Sequence, residues 1–289
     1  MTISPTARRR RLGIELRRLR ERSGLTGVQV ARELACSEAK ISRIEAGKHA
    51  VRVADVVALL DVYKVADQSV RESLVAIARE SGRRGWWVQY SDAIPDWFEV
   101  HLGLESEAVE VRLVETAVVP GLLQTQDYAA ALIRAGQPLI PAEEVDRQVG
   151  LRMARQARIH NDQVKLQVVI GEGALSTTVG TPAVMAAQMD ALAKAARRPN
   201  VELRVIRFRS PAYAAFAQPF VILDFAEADD SGLVYTEHWR GGLHIDDPAA
   251  VGSYRLLFTY LVAGAESLAN SVKIVRERAD SRRLEAGER

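Results

Sequence analysis

The 289-residue chain has one cysteine, five histidines and few aromatic residues, 6% in all. A lone thiol, Cys36, closes no internal disulfide, and the scattered histidines lack metal-site spacing, so disulfide, redox and metal roles are not expected. Long apolar runs are missing too: no stretch reaches the roughly 18 residues that suggest a membrane span. Nor does an apolar segment follow the basic residues Arg8, Arg9, Arg10 and Arg11. No secretory signal is therefore read there, no membrane partner is expected, and the expected location is cytoplasmic and nucleoid-associated. Catalytic motifs are absent in turn: there is no Gly-x-Ser-x-Gly elbow, no Gly-x-x-x-x-Gly-Lys-Ser/Thr loop, and no Gly-x-Gly-x-x-Gly behind a strand. Gly171-Glu172-Gly173 lacks the third glycine, and the pair Glu237-His238 reads as structural. The chain is not expected to be an enzyme, and no catalytic residue, cofactor or metal ligand is assigned.

What is present is a division of charge. Residues 1–84 hold 18 Lys and Arg against 10 Asp and Glu, a net +8, whereas residues 85–289 hold 21 against 27, a net −6. Sign asymmetry of this kind suggests a nucleic-acid-binding module, 1–84, joined to a larger unit, 85–289, that does not touch nucleic acid. Length also favours two domains.

In the first module, Leu12, Leu16 and Leu19 recur at helical spacing through residues 8–22, and Ser23-Gly24 stops the helix. Thr26 is placed to cap a short helix through Leu34, with Val30, Ala31 and Leu34 inward. After a tight turn at Ala35-Cys36, Ser37 caps a third helix that ends at Gly47, the position where a left-handed residue closes a helix. Residues 53–63 and 69–80 complete five amphipathic helices. Ile41 and Ile44 share the inward face of the third helix, leaving Glu38, Ala39, Lys40, Ser42 and Arg43 on the other side. Cys36 reads as a small buried hydrophobe, and Glu45 as a bridge to an arginine of the first helix.

The words Gly24-Leu25-Thr26, Val30-Ala31 and Ile41-Ser42-Arg43-Ile44-Glu45-Ala46-Gly47 resemble the Cro/C1-type (XRE) helix-turn-helix family over about residues 12–65. The resemblance implies a five-helix, lambda-repressor-like DNA-binding domain whose recognition helix is residues 37–46. Its DNA-binding candidates are Thr26, Gln29, Ser37, Glu38, Ala39, Lys40, Ser42 and Arg43, with Lys40 and Arg43 foremost as base readers. Arginine can fork onto guanine, glutamate accept from cytosine, and an alanine methyl meet thymine. Two positions depart from the family pattern. Gly27 stands where relatives place a phosphate-anchoring glutamine, which Gln29 or Thr26 would replace. Ala35 stands where glycine is preferred because the backbone tends to positive φ. Arg8–Arg11 read equally as a disordered arm reaching phosphate or minor groove and as solubilising charge.

Beyond Arg83-Arg84 the texture changes, and three of four tryptophans fall within the twelve residues from Trp86 to Trp97. This cluster reads as a core or inter-domain anchor. Helices are expected at 95–105, 125–135, 143–160, 182–197 and from 249 to 266 or further; the extended segments are 109–119, 164–170, 201–208, 220–225 and 233–237. Residues 276–289 read as a frayed, charged tail. The expected class is α+β.

The words Trp86-Trp87, Leu104-Glu105-Ser106-Glu107-Ala108, Val119-Pro120-Gly121-Leu122-Leu123-Gln124-Thr125, Tyr128-Ala129, Arg147-Gln148 and Tyr254-Arg255 resemble the uncharacterised DUF5753-like effector-type domain of actinobacterial Cro/C1-type regulators. That resemblance implies a transcriptional regulator acting on double-stranded DNA, its second domain receiving a small-molecule effector or a small acidic partner protein; because one helix-turn-helix covers too little DNA for tight binding, a homodimer is expected. An antitoxin-like protein that sequesters such a partner and autoregulates is the alternative it leaves open.

Overall fold

The computed structural model describes residues 5–47, 51–80, 85–215, 218–226, 230–238 and 241–287; Met1 to Ser4, Arg83 and Arg84, which enter the signal, charge and boundary readings above, lie outside them. Two compact units emerge, Met1–Gln89 and Tyr90–Arg289. The aromatic cluster is thus divided, Trp86 and Trp87 falling in the first unit and Trp97 in the second.

The first unit is all helical: α1 (Pro5–Arg22), α2 (Gly27–Glu33), α3 (Glu38–Glu45), α4 (Val53–Val62) and α5 (Gln68–Glu80), with a 3-10 segment from Trp86 to Ala93 running across the unit boundary. Leu12 and Leu16 of α1, Val30 of α2, Ile41 of α3, Leu59 and Leu60 of α4 and Leu74 of α5 meet in one core. Arg8–Arg11 are not a disordered arm, because they form early turns of α1. Arginine is a good helix former, and Pro5 suits a first helical position. Arg8 is buried and Arg11 exposed.

The second unit contains α6 (Asp96–Glu105), β1 (Glu110–Glu115), α7 (Gln126–Gly136), α8 (Ala142–Arg155), α9 (Ala157–His160), β2 (Lys165–Gly171), α10 (Glu172–Ser176), α11 (Pro182–Ala195), β3 (Val201–Ile206), β4 (Phe220–Asp224), β5 (Leu233–His238), β6 (Gly241–Ile245), α12 (Pro248–Gly264) and α13 (Leu268–Ala286). The sheet runs β3-β2-β1-β4-β5-β6, its first three strands parallel and the rest antiparallel. Alternation along the strands explains the layers. Val168 and Ile170 enter one core with Met185 and Met189 of α11 and Val275 of α13. Val169 between them enters the opposite core with Val251, Phe258 and Leu261 of α12. A sheet buried on both faces reads as a continuous apolar run, as here.

Two expectations are corrected. The helix expected at 143–160 breaks at Gln156 into α8 and α9. The charged tail is no frayed end through residue 287: it belongs to α13, which starts at its own N-cap, Ser267. Ile274, Val275 and Ala279 are buried against α11 and the sheet, and the fully buried Ser271 accepts from Val205 N–H of edge strand β3 at 3.0 Å. Its arginines are anchored as well, Arg278 on Glu172 at 3.1 Å, Arg282 on the Ser176 carbonyl at 2.8 Å, and Arg283 on Asp190. Val275→Ala should therefore lower stability by about 2 kcal/mol, from lost burial plus a cavity. Lys273→Ala on the exposed face should stay within about 0.5 kcal/mol. Urea unfolding of the full chain checks both; equal, negligible effects would restore the frayed tail.

Candidate nucleic-acid interface

Local chemistry sets the two helices of the turn motif. Thr26 caps α2 reciprocally with Gln29: the Thr26 hydroxyl accepts from Gln29 N–H at 3.3 Å, and Gln29 Oε1 accepts from Thr26 N–H at 2.8 Å. The turn passes through Ala35 at φ 48°, the left-handed conformation expected there despite the side chain. Cys36 N–H then closes the turn onto the Ala31 carbonyl at 2.9 Å, and the Cys36 side chain packs against the core. Ser37 caps α3 by accepting from Lys40 N–H at 3.2 Å, with Glu38 in the positively polarised first turn.

On α3, Ile41 and Ile44 are buried, while Ser37, Glu38, Ala39, Ser42 and Arg43 are exposed together on the opposite side. Arg43 leans back along its helix, Nε donating to the Ala39 carbonyl at 3.1 Å. Lys40 is placed differently. Its ammonium reaches Asp55 of α4 at 2.8 Å, so this foremost candidate is half-exposed and engaged in an ion pair. Asp55 gave no signal in the sequence, because the contact crosses fifteen residues between helices of unrelated phase.

The far end of α3 is held to α1. Arg20 forks onto Glu45, Nε to Oε1 at 2.7 Å and Nη2 to Oε2 at 3.0 Å, and its Nη1 donates to the Leu25 carbonyl at 2.8 Å. The side chains are only 14% and 10% exposed. The hydrogen bond to Glu45 raises the Arg20 pKa against the opposing effect of burial. Tyr63, just past α4, donates to the same carboxylate at 3.4 Å; burial, then the Glu45 charge, push its phenol well above the usual range. The helices also approach backbone to backbone. A Cβ on Gly13 would collide with the Ile44 and Glu45 carbonyls, and one on Gly47, at φ 64°, with the backbone of Arg10.

Arg20→Ala or Glu45→Gln alone should cost the first unit about 2–3 kcal/mol, because each strands a largely buried partner, whereas Arg20→Met with Glu45→Leu should recover much of the loss. Thermal unfolding of the four proteins gives the comparison. Single variants as stable as the parent would mean that the pair braces nothing.

Among the described residues no helix is long and apolar enough to cross a membrane, and no group of three His, Cys, Asp or Glu could hold a metal ion. No curated protein and no solved structure matches the chain. Two family models do: one described as a helix-turn-helix domain covers residues 11–74, the helices just described, and one described as a domain of unknown function (DUF5753) covers residues 98–277, most of the second unit. The chain belongs to the DUF5753 family and carries a helix-turn-helix domain ahead of that region.

Proposed function

We propose that the protein is a sequence-specific transcriptional regulator of the Cro/C1 type, acting in the cytoplasm on nucleoid DNA, with residues 37–46 in the major groove. The observation that carries this reading is the exposed row Ser37, Glu38, Ala39, Ser42 and Arg43 on a helix fixed from behind by Ile41, Ile44 and Glu45. A rigid helix with a short polar face at its N-terminal end is what base-edge contact requires. In this reading Arg43 swings off the Ala39 carbonyl to fork onto guanine, Glu38 accepts from cytosine, and the Ala39 methyl meets thymine. Lys40 exchanges Asp55 for a base or phosphate oxygen. Thr26 and Gln29 at the start of α2 approach phosphate, the exposed Gln29 having its side-chain oxygen held in the cap. Arg11, with its neighbours Arg8–Arg10 on α1, adds phosphate attraction. The second unit carries dimerisation and signal reception rather than catalysis, since one helix-turn-helix covers too little DNA for tight binding alone.

Arg43→Ala and Lys40→Ala should each weaken binding to the native operator by about 1–3 kcal/mol, with specificity relaxed at the contacted base pair. Arg11→Ala should instead weaken all sequences alike and reduce the slope of log K against log salt by about 1. Gel shifts across a salt series on an operator found by genome-wide pull-down test these outcomes. Unaltered operator binding by both α3 variants would remove α3 from the groove. Sedimentation of the full chain tests the homodimer, and a monomer at operator-binding concentrations would overturn it.

A further inference from the structure

The second unit contains a cavity of about 730 Å³, in the range of small-molecule sites. One wall is the segment from Val119 to Thr125, whose backbone is pinned by side chains. Gln188, fully buried, donates to the Leu123 carbonyl at 2.8 Å and accepts from Thr125 N–H at 2.7 Å. Gln156 donates to the carbonyls of Gly121 and Gln124 at 3.0 and 2.9 Å, and Gln124 to that of Val119 at 2.6 Å. Satisfied in this way, the wall is preorganised.

It also holds a charge. Arg152 Nη1 donates to Gln124 Oε1 at 2.6 Å, a neutral acceptor. The neighbouring Arg155 differs, forking onto Glu105 at 2.8 and 2.7 Å and lying over the Phe98 ring. Burial, then the charge of Arg155, lower the Arg152 pKa to about 10, which leaves it cationic at neutral pH. Two carboxylates line the same cavity. Glu115 has Oε1 fixed by the N–H groups of Thr116 and Ala117, and Glu237 accepts from the Tyr235 hydroxyl at 3.1 Å. They lie close enough that Glu237, after burial, contributes to raising Glu115. The half-buried rings of Trp97 and Phe98 supply an apolar side.

We propose that this cavity binds a small zwitterion of the amino-acid type, its carboxylate on Arg152, its ammonium between Glu237 and Glu115, and its apolar body against Trp97 and Phe98. An anion alone would meet the two carboxylates, and a cation alone would leave Arg152 with its amide. The zwitterion answers both. The binding site stands on this cavity; only its use as a signal for operator binding rests on the regulatory reading above.

The test is isothermal titration of the full chain without DNA, using L-phenylalanine, L-tryptophan and L-leucine beside two analogues, 2-phenylethylamine without the carboxylate and 3-phenylpropanoate without the amine. At least one amino acid should saturate and bind tighter than either analogue, and Arg152→Gln and Glu237→Gln should each weaken it by about tenfold or more. Glu237 is exposed, so its variant tests the site even if replacement of Arg152 disturbs folding. No saturation by any of the three amino acids up to ~10 mM, an analogue binding as tightly as its parent, or full affinity in Glu237→Gln would overturn the proposal. Loss of operator binding with this titration intact would refute the regulatory reading and not the site.

Discussion

The geometry of the first unit depends on the ion pair between Arg20 and Glu45. It joins residues twenty-five positions apart, and its two groups reach further: the guanidinium to the carbonyl that precedes α2, the carboxylate to the phenol that follows α4. Four of the five helices are thereby referred to one point at the C-terminal end of α3. Such a pair adds little net stability over apolar side chains of similar volume, since desolvating both charges opposes their attraction. What it contributes is direction. A bidentate fork tolerates little rotation, and packed isoleucines alone would let the helix roll.

Much of this unit was legible in the sequence because its determinants are local. Thr26, Ser37 and Gly47 mark helix ends by side-chain chemistry within three residues, and Ala35 adopts its positive φ in a two-residue turn. Glu45 was readable as a brace because it falls on the flank of the Ile41 and Ile44 face. Lys40 shows where local reading stops. Nothing in the phase of α3 separates a lysine facing solvent from one drawn to Asp55, since the aspartate arrives on another helix. For the run Arg8–Arg11 the helix over 8–22 was legible and only the alternative of a disordered arm fails: consecutive arginines carry no apolar period of their own, yet they belong to the helix whose buried face includes Leu12 and Leu16.

In the second unit the legible parts were the strands with apolar runs and the illegible ones owed their order to distant partners. β6 holds two glycines and little apolar contrast, and exists by pairing with β5. α13 looked like a tail because arginine and glutamate dominate it, but Glu172, Asp190 and the edge of β3 receive its polar groups and the sheet core its few apolar ones. The segment Val119 to Thr125 could be recognised as a word without revealing what it builds. Its meaning depends on Gln156, at the break between α8 and α9, and on Gln188 of α11, which come later in the chain and supply the hydrogen bonds that its buried backbone cannot make to itself.

The two units share a device, from which Arg152 departs. Arg155 meets Glu105 with the same atoms by which Arg20 meets Glu45, Nε to one carboxylate oxygen and Nη2 to the other. Burial opposes the charged form of Glu105, but the charge and hydrogen bonds of Arg155 overcome it and hold the carboxyl far below its usual range, with His101 adding to the effect. Both pairs are closed: each charge is answered within the fold. Arg152, one helical turn from Arg155, is answered by an amide instead, beside two carboxylates that do not reach it by hydrogen bond in the contacts described. Arg152 is thus fixed on a preorganised wall with an amide as its hydrogen-bond partner, while the charge of Glu237, on the same cavity lining, favours its cationic form. That is the physical condition under which a bound ligand gains more from a charge-assisted contact than water does.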